Sequence, residues 1–348
     1  MKESHKNGLV GLRVLATLGI ALYHFELTYP FLPGVEILST GYLLVEFFFV
    51  LSGFLMAQSA HQSKRSKSII KITIDRIKRL YPGYIPGLIL LPLIYAITWF
   101  HGNYYAWLAD GLHLRSYIAE FFMIQCSGAA GLEYVNGPAW YVSALLLSTP
   151  IVAAFIKCGK KYFWLSGLTS IILYGLIWYY DSPSMGSAAF IFEHIPVPIL
   201  RGLAGMLLGV FTYTVTVFLS SKIQNLKKGY LSLFELIFFV WLIRMCILRE
   251  SNIYNGVVLI PICGLIILMM GENRGVVSRL FSVKSFAYLA EISYAFYILQ
   301  SFCSNFFSCL MPDVKQPWVT GLYLIFNFSM AVIIHELWEK PIFNHMNK

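Results

Sequence analysis

The stretch Val45-Glu46-Phe47-Phe48-Phe49-Val50-Leu51-Ser52-Gly53-Phe54-Leu55-Met56, VEFFFVLSGFLM, sets one carboxylate at the head of an otherwise apolar run. Its surroundings show what kind of run it is. The chain has 348 residues, of which 58% are hydrophobic and only 12% charged, whereas a soluble domain carries about a quarter charged residues. Apolar runs of about 20 residues, enough to cross roughly 30 Å of hydrocarbon, recur along the whole sequence and leave no room for a sizeable soluble domain. The expected fold class is therefore all-α: one polytopic integral membrane unit over residues 1–348.

Ten spans are expected, at residues 8–27, 41–60, 84–101, 139–156, 163–180, 197–219, 230–248, 253–271, 287–310 and 318–338. With the N-terminus in the cytoplasm, the inward connections and tails hold 20 Lys and Arg residues and the outward ones 3, namely Arg115, Arg249 and Lys315. A missed helix would invert every later loop and scramble that bias, so both termini are expected to be cytoplasmic. The net charge of +9 reports this topology and not a nucleic-acid partner. The first run follows two lysines but carries Arg13 and His24 and lacks a small-residue cleavage pattern, so it reads as a helix and not a signal peptide. The six cysteines show no metal spacing, no metal is expected, and no disulfide framework is implied. The outer connection at residues 102–138 holds an apolar piece, Ile118 to Ile124, that either lies at the interface or dips into the membrane.

Ionisable residues within a bilayer cost about 2.5–3.5 kcal/mol on insertion scales and are functional candidates by default. Arg13 and His24 stand 11 residues apart on the first helix. That separation is about three turns and roughly 16 Å, so both side chains leave one face. Glu46, one turn into the second helix from outside, is expected at the depth of His24, where it can orient the imidazole for proton transfer. The competing readings are an interfacial His24, a purely structural pairing for Glu46, and an Arg13 that snorkels to the inner surface.

These residues, with others in order along the chain, resemble the acyltransferase 3 family of membrane O-acyltransferases. Gly11-Leu12-Arg13 to His24-Phe25 is similar to its first-helix motif, and Glu46 to Phe54 to its second-helix signature. Arg76-Ile77-Lys78-Arg79 before Tyr81-Pro82 resembles its RxxR segment; Pro138 to Ser143, Ser293 to Leu299 and Glu339-Lys340-Pro341 also fit. Gln300 departs from the pattern, because the family often carries a histidine there. The chain also ends soon after the tenth expected span, and a self-contained transferase is expected on that ground.

The resemblance implies O-acetylation of a bacterial surface glycan or lipid-linked saccharide from acetyl-CoA, in the bacterial cytoplasmic (inner) membrane. On that reading His24 and Glu46 are catalytic, with His24 either a general base or a transient acyl acceptor. Arg13, Arg76 and Arg79 bind the donor. Arg76 and Arg79, three apart, can present two guanidinium forks to one anion; the alternative is topogenic charge at a lipid surface. Trp140 and Tyr141 are either interfacial anchors or a sugar-stacking platform. Arg201, after the Glu193-His194 pair, is a weaker candidate for meeting the glycan, and Ser52 beside Gly53 reads as a helix-packing residue. Two other classes remain: a transporter or flippase for a lipid-linked or acylated sugar, which would predict inverted repeats that the sequence does not display, and a transferase acting on a protein N-terminus, peptide or small amphiphile.

Overall fold

The computed structural model describes residues 8–27, 29, 38, 40–63, 67–100, 114–129, 131, 134–159, 163–181, 189–247, 253–271, 273–311 and 317–346, with the side chains of 95–100, 181 and 253–258 left aside. In chain order the helices are α1 (Gly8–Glu26), α2 (Leu44–Gln62), α3 (Ile69–Phe100), α4 (Leu114–Phe121), α5 (Trp140–Lys157) and α6 (Phe163–Asp181). A small antiparallel hairpin follows, β1 (Phe190–Ile191) and β2 (Ile195–Pro196). Then come α7 (Val197–Asn225), α8 (Lys228–Ile247), α9 (Ile253–Met270), α10 (Val276–Phe281), α11 (Lys284–Leu310), α12 (Pro317–Ile334), a π-helical turn at His335–Glu339 and α13 (Lys340–Met346).

Seven helical stretches among the described residues are long and apolar enough to cross a membrane: 8–26, 41–62, 137–157, 163–180, 197–225, 228–247 and 317–346. The chain is thus an all-α membrane protein, and the large exposed side chains agree: Ile171 and Tyr179 on α6 and Leu236 and Val240 on α8 face outward, as lipid-contacting surface does.

Two apolar cores hold the helices. One joins the first half of α1 to α2, α5, α6, α7 and α9, with Tyr84 of α3, Met245 of α8 and Ile298 of α11; the other joins the second half of α1 to α3, α11 and α12, with Phe25 stacked on Tyr29 at 4.9 Å and on Tyr323 at 4.0 Å. In the first core, α2 and α7 approach until their backbones touch. A Cβ at Gly53 would collide with the Met206 carbonyl oxygen, and one at Gly209 with that of Val50. Small residues let membrane helices associate by dispersion contact, since lipid tails leave no hydrophobic drive between helices.

α3 carries Pro82, Pro86 and Pro92 in its interior. Each proline lacks an N–H and so strands the carbonyl four residues back, and two carbonyls of this stretch are taken by side chains from elsewhere. Trp338 Nε1 donates to Pro82 O at 2.8 Å, and Tyr117 OH donates to Leu88 O at 2.6 Å. Helix ends are closed in the same way. The Gly8 N–H donates to Asn273 Oδ1 at 3.2 Å, Glu235 Oε2 accepts from Ser278 N at 3.0 Å, and Arg274 Nη1 donates to the Ile223 and Gln224 carbonyls at 3.0 and 2.7 Å.

The described part of the connection between α3 and α5 packs into the bundle. α4 lies along α3, with Tyr117 on Leu88 and Tyr81 OH donating to Phe121 O at 3.0 Å. The chain then passes through two 3-10 turns, Gln125–Ser127 and Gly137–Ala139, packed among helices. Gln125 Nε2 donates to Tyr84 OH at 2.9 Å, Asn136 Nδ2 to Ile298 O at 3.1 Å, and Tyr297 OH to Pro138 O at 2.7 Å. Tyr297 stands midway along α11, so this backbone reaches the middle of that helix. Irregular backbone is tolerated at such depth only where protein covers it, and Gln125, Asn136 and Glu120 are buried. Glu120 Oε1 accepts from Asn136 N at 2.9 Å, and burial pushes the carboxyl up to about 8.

Candidate functional site

His24 projects from the second half of α1 toward α11, where its Nδ1 lies 3.3 Å from Gln300 Oε1. With the Gln300 amide oxygen as acceptor, Nδ1 carries the proton and Nε2 keeps its lone pair. The side chain that orients His24 therefore comes from the position where the family often carries histidine.

The expected partnership of Glu46 with His24 is corrected here. Glu46 is fully buried and turned toward α7 and α6: Arg201 meets its Oε1 through Nη2 at 2.7 Å and Nε at 2.8 Å, and Tyr174 OH donates to Oε2 at 2.6 Å. The Arg201 guanidinium also lies 4.7 Å from the centre of the Trp140 ring, within cation–π range. The reason is helix stagger. The chain entering α2 folds back down α1 so closely that a Cβ at Gly41 would collide with Tyr23 and one at Gly19 with Leu44. Glu46 consequently enters one to two turns below His24, on a face turned away from it. The same node removes Arg201 and Trp140 from the outer surface; both are buried, whereas Glu193 and His194 stand exposed at the tip of the β1–β2 turn.

The cationic residues separate into two groups. On the surface of α3, Asp75 pairs with Lys67 at 2.7 Å and Lys71 at 3.0 Å. Arg76 turns inward instead, its Nη1 donating to Thr149 Oγ1 at 2.7 Å and lying 4.0 Å from Met206 Sδ. It shares an electrostatic neighbourhood with Arg79 and Tyr141, and Arg13 shares one with Arg79, Tyr141 and Glu339. Tyr141 stands at the meeting point: all three guanidiniums act on it, and Ser52 lies within side-chain hydrogen-bonding reach. Its ring is packed on Phe49 at 4.8 Å and on Phe48 and Tyr297 at 5.8 Å, so it is an interior residue and not an interfacial anchor.

Arg13, Arg76 and Tyr141 are thus brought into one electrostatic neighbourhood from α1, α3 and α5, below His24 on the same face of α1, with Arg79 at its exposed edge. Glu46, Arg201 and Trp140 form a separate buried node. Gln300, Tyr174, Asn136 and Glu339 were not foreseen as site residues. Only Gln300 and Glu339 left a signal, as a departure from and a member of the family motifs. Among the described residues no group of three or more His, Cys, Asp or Glu is placed to hold a metal ion.

An all-helical membrane bundle in which arginines from two helices gather below a histidine on the first helix defines the class of protein. The particular family follows from comparison. The chain belongs to the acyltransferase 3 family, whose acyltransferase-domain profile matches residues 6–336. It is 28% identical over 160 residues to the O-acetyl transferase of Shigella phage Sf6, a segment covering 43% of this chain and 46% of that protein. It is 37% identical over 87 residues, 24% of this chain and 13% of the relative, to a Staphylococcus aureus (strain MSSA476) protein provisionally named an O-acetyltransferase. A counterpart in strain COL, with the same provisional name, is 38% identical over 81 residues, 22% of this chain and 12% of that protein. The matched segments span less than half the length of these relatives. No solved structure matches the chain.

Proposed function

We propose that the chain is a membrane O-acetyltransferase that takes acetyl from cytoplasmic acetyl-CoA and passes it to a hydroxyl of a cell-surface or lipid-linked glycan. The observation that carries this reading is the meeting of Arg13, Arg76 and Arg79 around Tyr141, inward of His24 on the same helix. Coenzyme A bears a diphosphate and a further phosphate, and guanidinium forks suit such anions. The axial distance of roughly 16 Å from Arg13 to His24 is of the order of an extended pantetheine arm. Phosphates held low in the bundle would therefore deliver the thioester to the histidine. The reading includes ten spans, both termini in the cytoplasm and residence in the bacterial cytoplasmic membrane.

In the direct route, His24 Nε2 takes the proton of the acceptor hydroxyl, whose oxygen attacks the thioester carbonyl. The C–S bond then breaks, and the thiolate receives the proton from the imidazolium. In the two-step route, Nε2 itself attacks the thioester carbonyl, the C–S bond breaks and the thiolate leaves; the acceptor hydroxyl then attacks the acyl-imidazole, the N–C bond breaks to return the imidazole, and the hydroxyl proton passes to the thiolate. Both routes need the tautomer that Gln300 selects, so Gln300 takes the orienting role first assigned to Glu46.

The test is acetyl transfer by purified protein in liposomes, with labelled acetyl-CoA on the Lys/Arg-rich face and host glycan as acceptor, together with the acetyl content of the host glycan with and without the protein. Label should reach the glycan with the wild type and not with His24→Ala. Movement of an acylated saccharide across the bilayer without any new ester would favour the transporter reading instead.

A further inference from the structure

The Glu339-Lys340-Pro341 motif finds no place in the transfer step, yet its carboxylate is seated on Gly83, one helical turn beyond Arg79. It closes the π-helical turn His335–Glu339, a wide turn that is rare and frequent at functional sites. Three contacts lock this turn. His335 Nδ1 lies 2.8 Å from Glu339 Oε2, Trp338 Nε1 donates to Pro82 O at 2.8 Å, and Glu339 Oε1 presses on Gly83, where it would collide with any Cβ. The contacts on α3 fall on the turn that follows Arg76 and Arg79. Lys340 is drawn the other way, to Glu336 at 2.7 Å on the surface.

Glu339 is buried. It acts electrostatically on Arg13 and on Tyr294, whose ring also borders Gly83 and whose hydroxyl has no hydrogen-bond partner among the described residues. Among the described residues its ion pair at bonding distance is with His335. The carboxylate, held by His335 and seated on Gly83 one turn beyond Arg79, is therefore near enough to act on Arg13 without pairing with it at bonding distance.

We propose that Glu339 is the resident counter-anion of the arginine cluster, a positioning residue that steadies Arg13 when no donor is bound and loosens the hold on the phosphates of the spent donor. The proposal rests on the reading of this cluster as the donor site. Clustered guanidiniums repel one another, and one carboxylate behind them reduces that repulsion without filling the place where a phosphate would sit. Once the phosphates arrive, the same charge opposes them. His335 holds the carboxylate back and shares its charge.

The experiment is calorimetric titration of coenzyme A into the purified full chain, with steady-state kinetics beside it. Glu339→Gln keeps the shape and removes the charge, and should bind coenzyme A more tightly, on the order of tenfold for a nearby unit charge at an effective dielectric near 20. KM for acetyl-CoA and kcat should fall together, because release slows. A carboxylate with a merely structural role would give weaker binding. Where Glu339→Gln fails to fold, His335→Ala serves in its place: it leaves the carboxylate charge unshared and should weaken coenzyme A binding. Wild-type protein that does not bind coenzyme A overturns the donor-site reading itself. Wild-type binding with equal or weaker binding by a folded Glu339→Gln, or equal or tighter binding by His335→Ala, overturns the role of Glu339.

Discussion

Replacing Glu46 by alanine distinguishes a structural carboxylate from a catalytic one. In the wild type the Arg201 guanidinium is 2% exposed and makes both of its short contacts with Glu46 Oε1, at 2.7 and 2.8 Å. Glu46→Ala leaves that charge buried without its counter-ion, which costs about 3–5 kcal/mol, and Tyr174 OH loses an ionised acceptor worth about 1.5–3 kcal/mol. These terms share the carboxylate and do not add. By the scaling of soluble proteins, the first alone lowers the melting temperature of a chain this long by roughly 4–7 °C. Arg201→Ala should destabilise to a similar extent by stranding Glu46. The double variant Glu46→Leu/Arg201→Met removes both charges and should recover most of the loss, since buried pairs exchanged for apolar groups of similar volume are often neutral or stabilising. The measurement is thermal unfolding in detergent followed by tryptophan fluorescence, with transfer activity per folded molecule recorded well below the transition. A Glu46→Ala protein that melts like the wild type but has lost activity as completely as His24→Ala would refute the structural assignment and return the carboxylate to the chemistry.

Gln300→Ala should lower kcat about 10- to 100-fold with membrane abundance unchanged, because the imidazole loses the acceptor that selects its tautomer; Gln300→Glu, which keeps an acceptor oxygen, should retain more activity than Gln300→Ala. Tyr117→Phe and Trp338→Phe should each destabilise by about 1–3 kcal/mol in thermal melts, because each strands a carbonyl in the proline-interrupted part of α3. The Glu120 carboxyl sits at about 8 in the folded protein against 4.5 for the ordinary group, so the folded chain binds the extra proton between those values. Stability should therefore fall as pH rises through that window, and Glu120→Gln should flatten the dependence of the melting temperature on pH.

The sequence by itself determined the membrane class and the place of most apolar helices, although α3 begins at Ile69, 15 residues before the expected span at 84–101. Hydropathy is a property of local composition, and the three-residue spacing of Arg76 and Arg79 and the eleven-residue spacing of Arg13 and His24 already specify a shared helix face. The family motifs marked His24 for the same reason, since they are contiguous in the chain. Tertiary structure alone decided which charge meets which. The fold-back of α2 on Gly19 and Tyr23 lowers Glu46 away from His24, and the backbone contact at Gly53 and Gly209 brings α7, with Arg201, against α2. Helix rotation, depth and stagger depend on contacts between residues far apart in the chain: Glu46 and Arg201 are separated by 155 positions and His24 and Gln300 by 276. No periodicity within one helix encodes such a pairing.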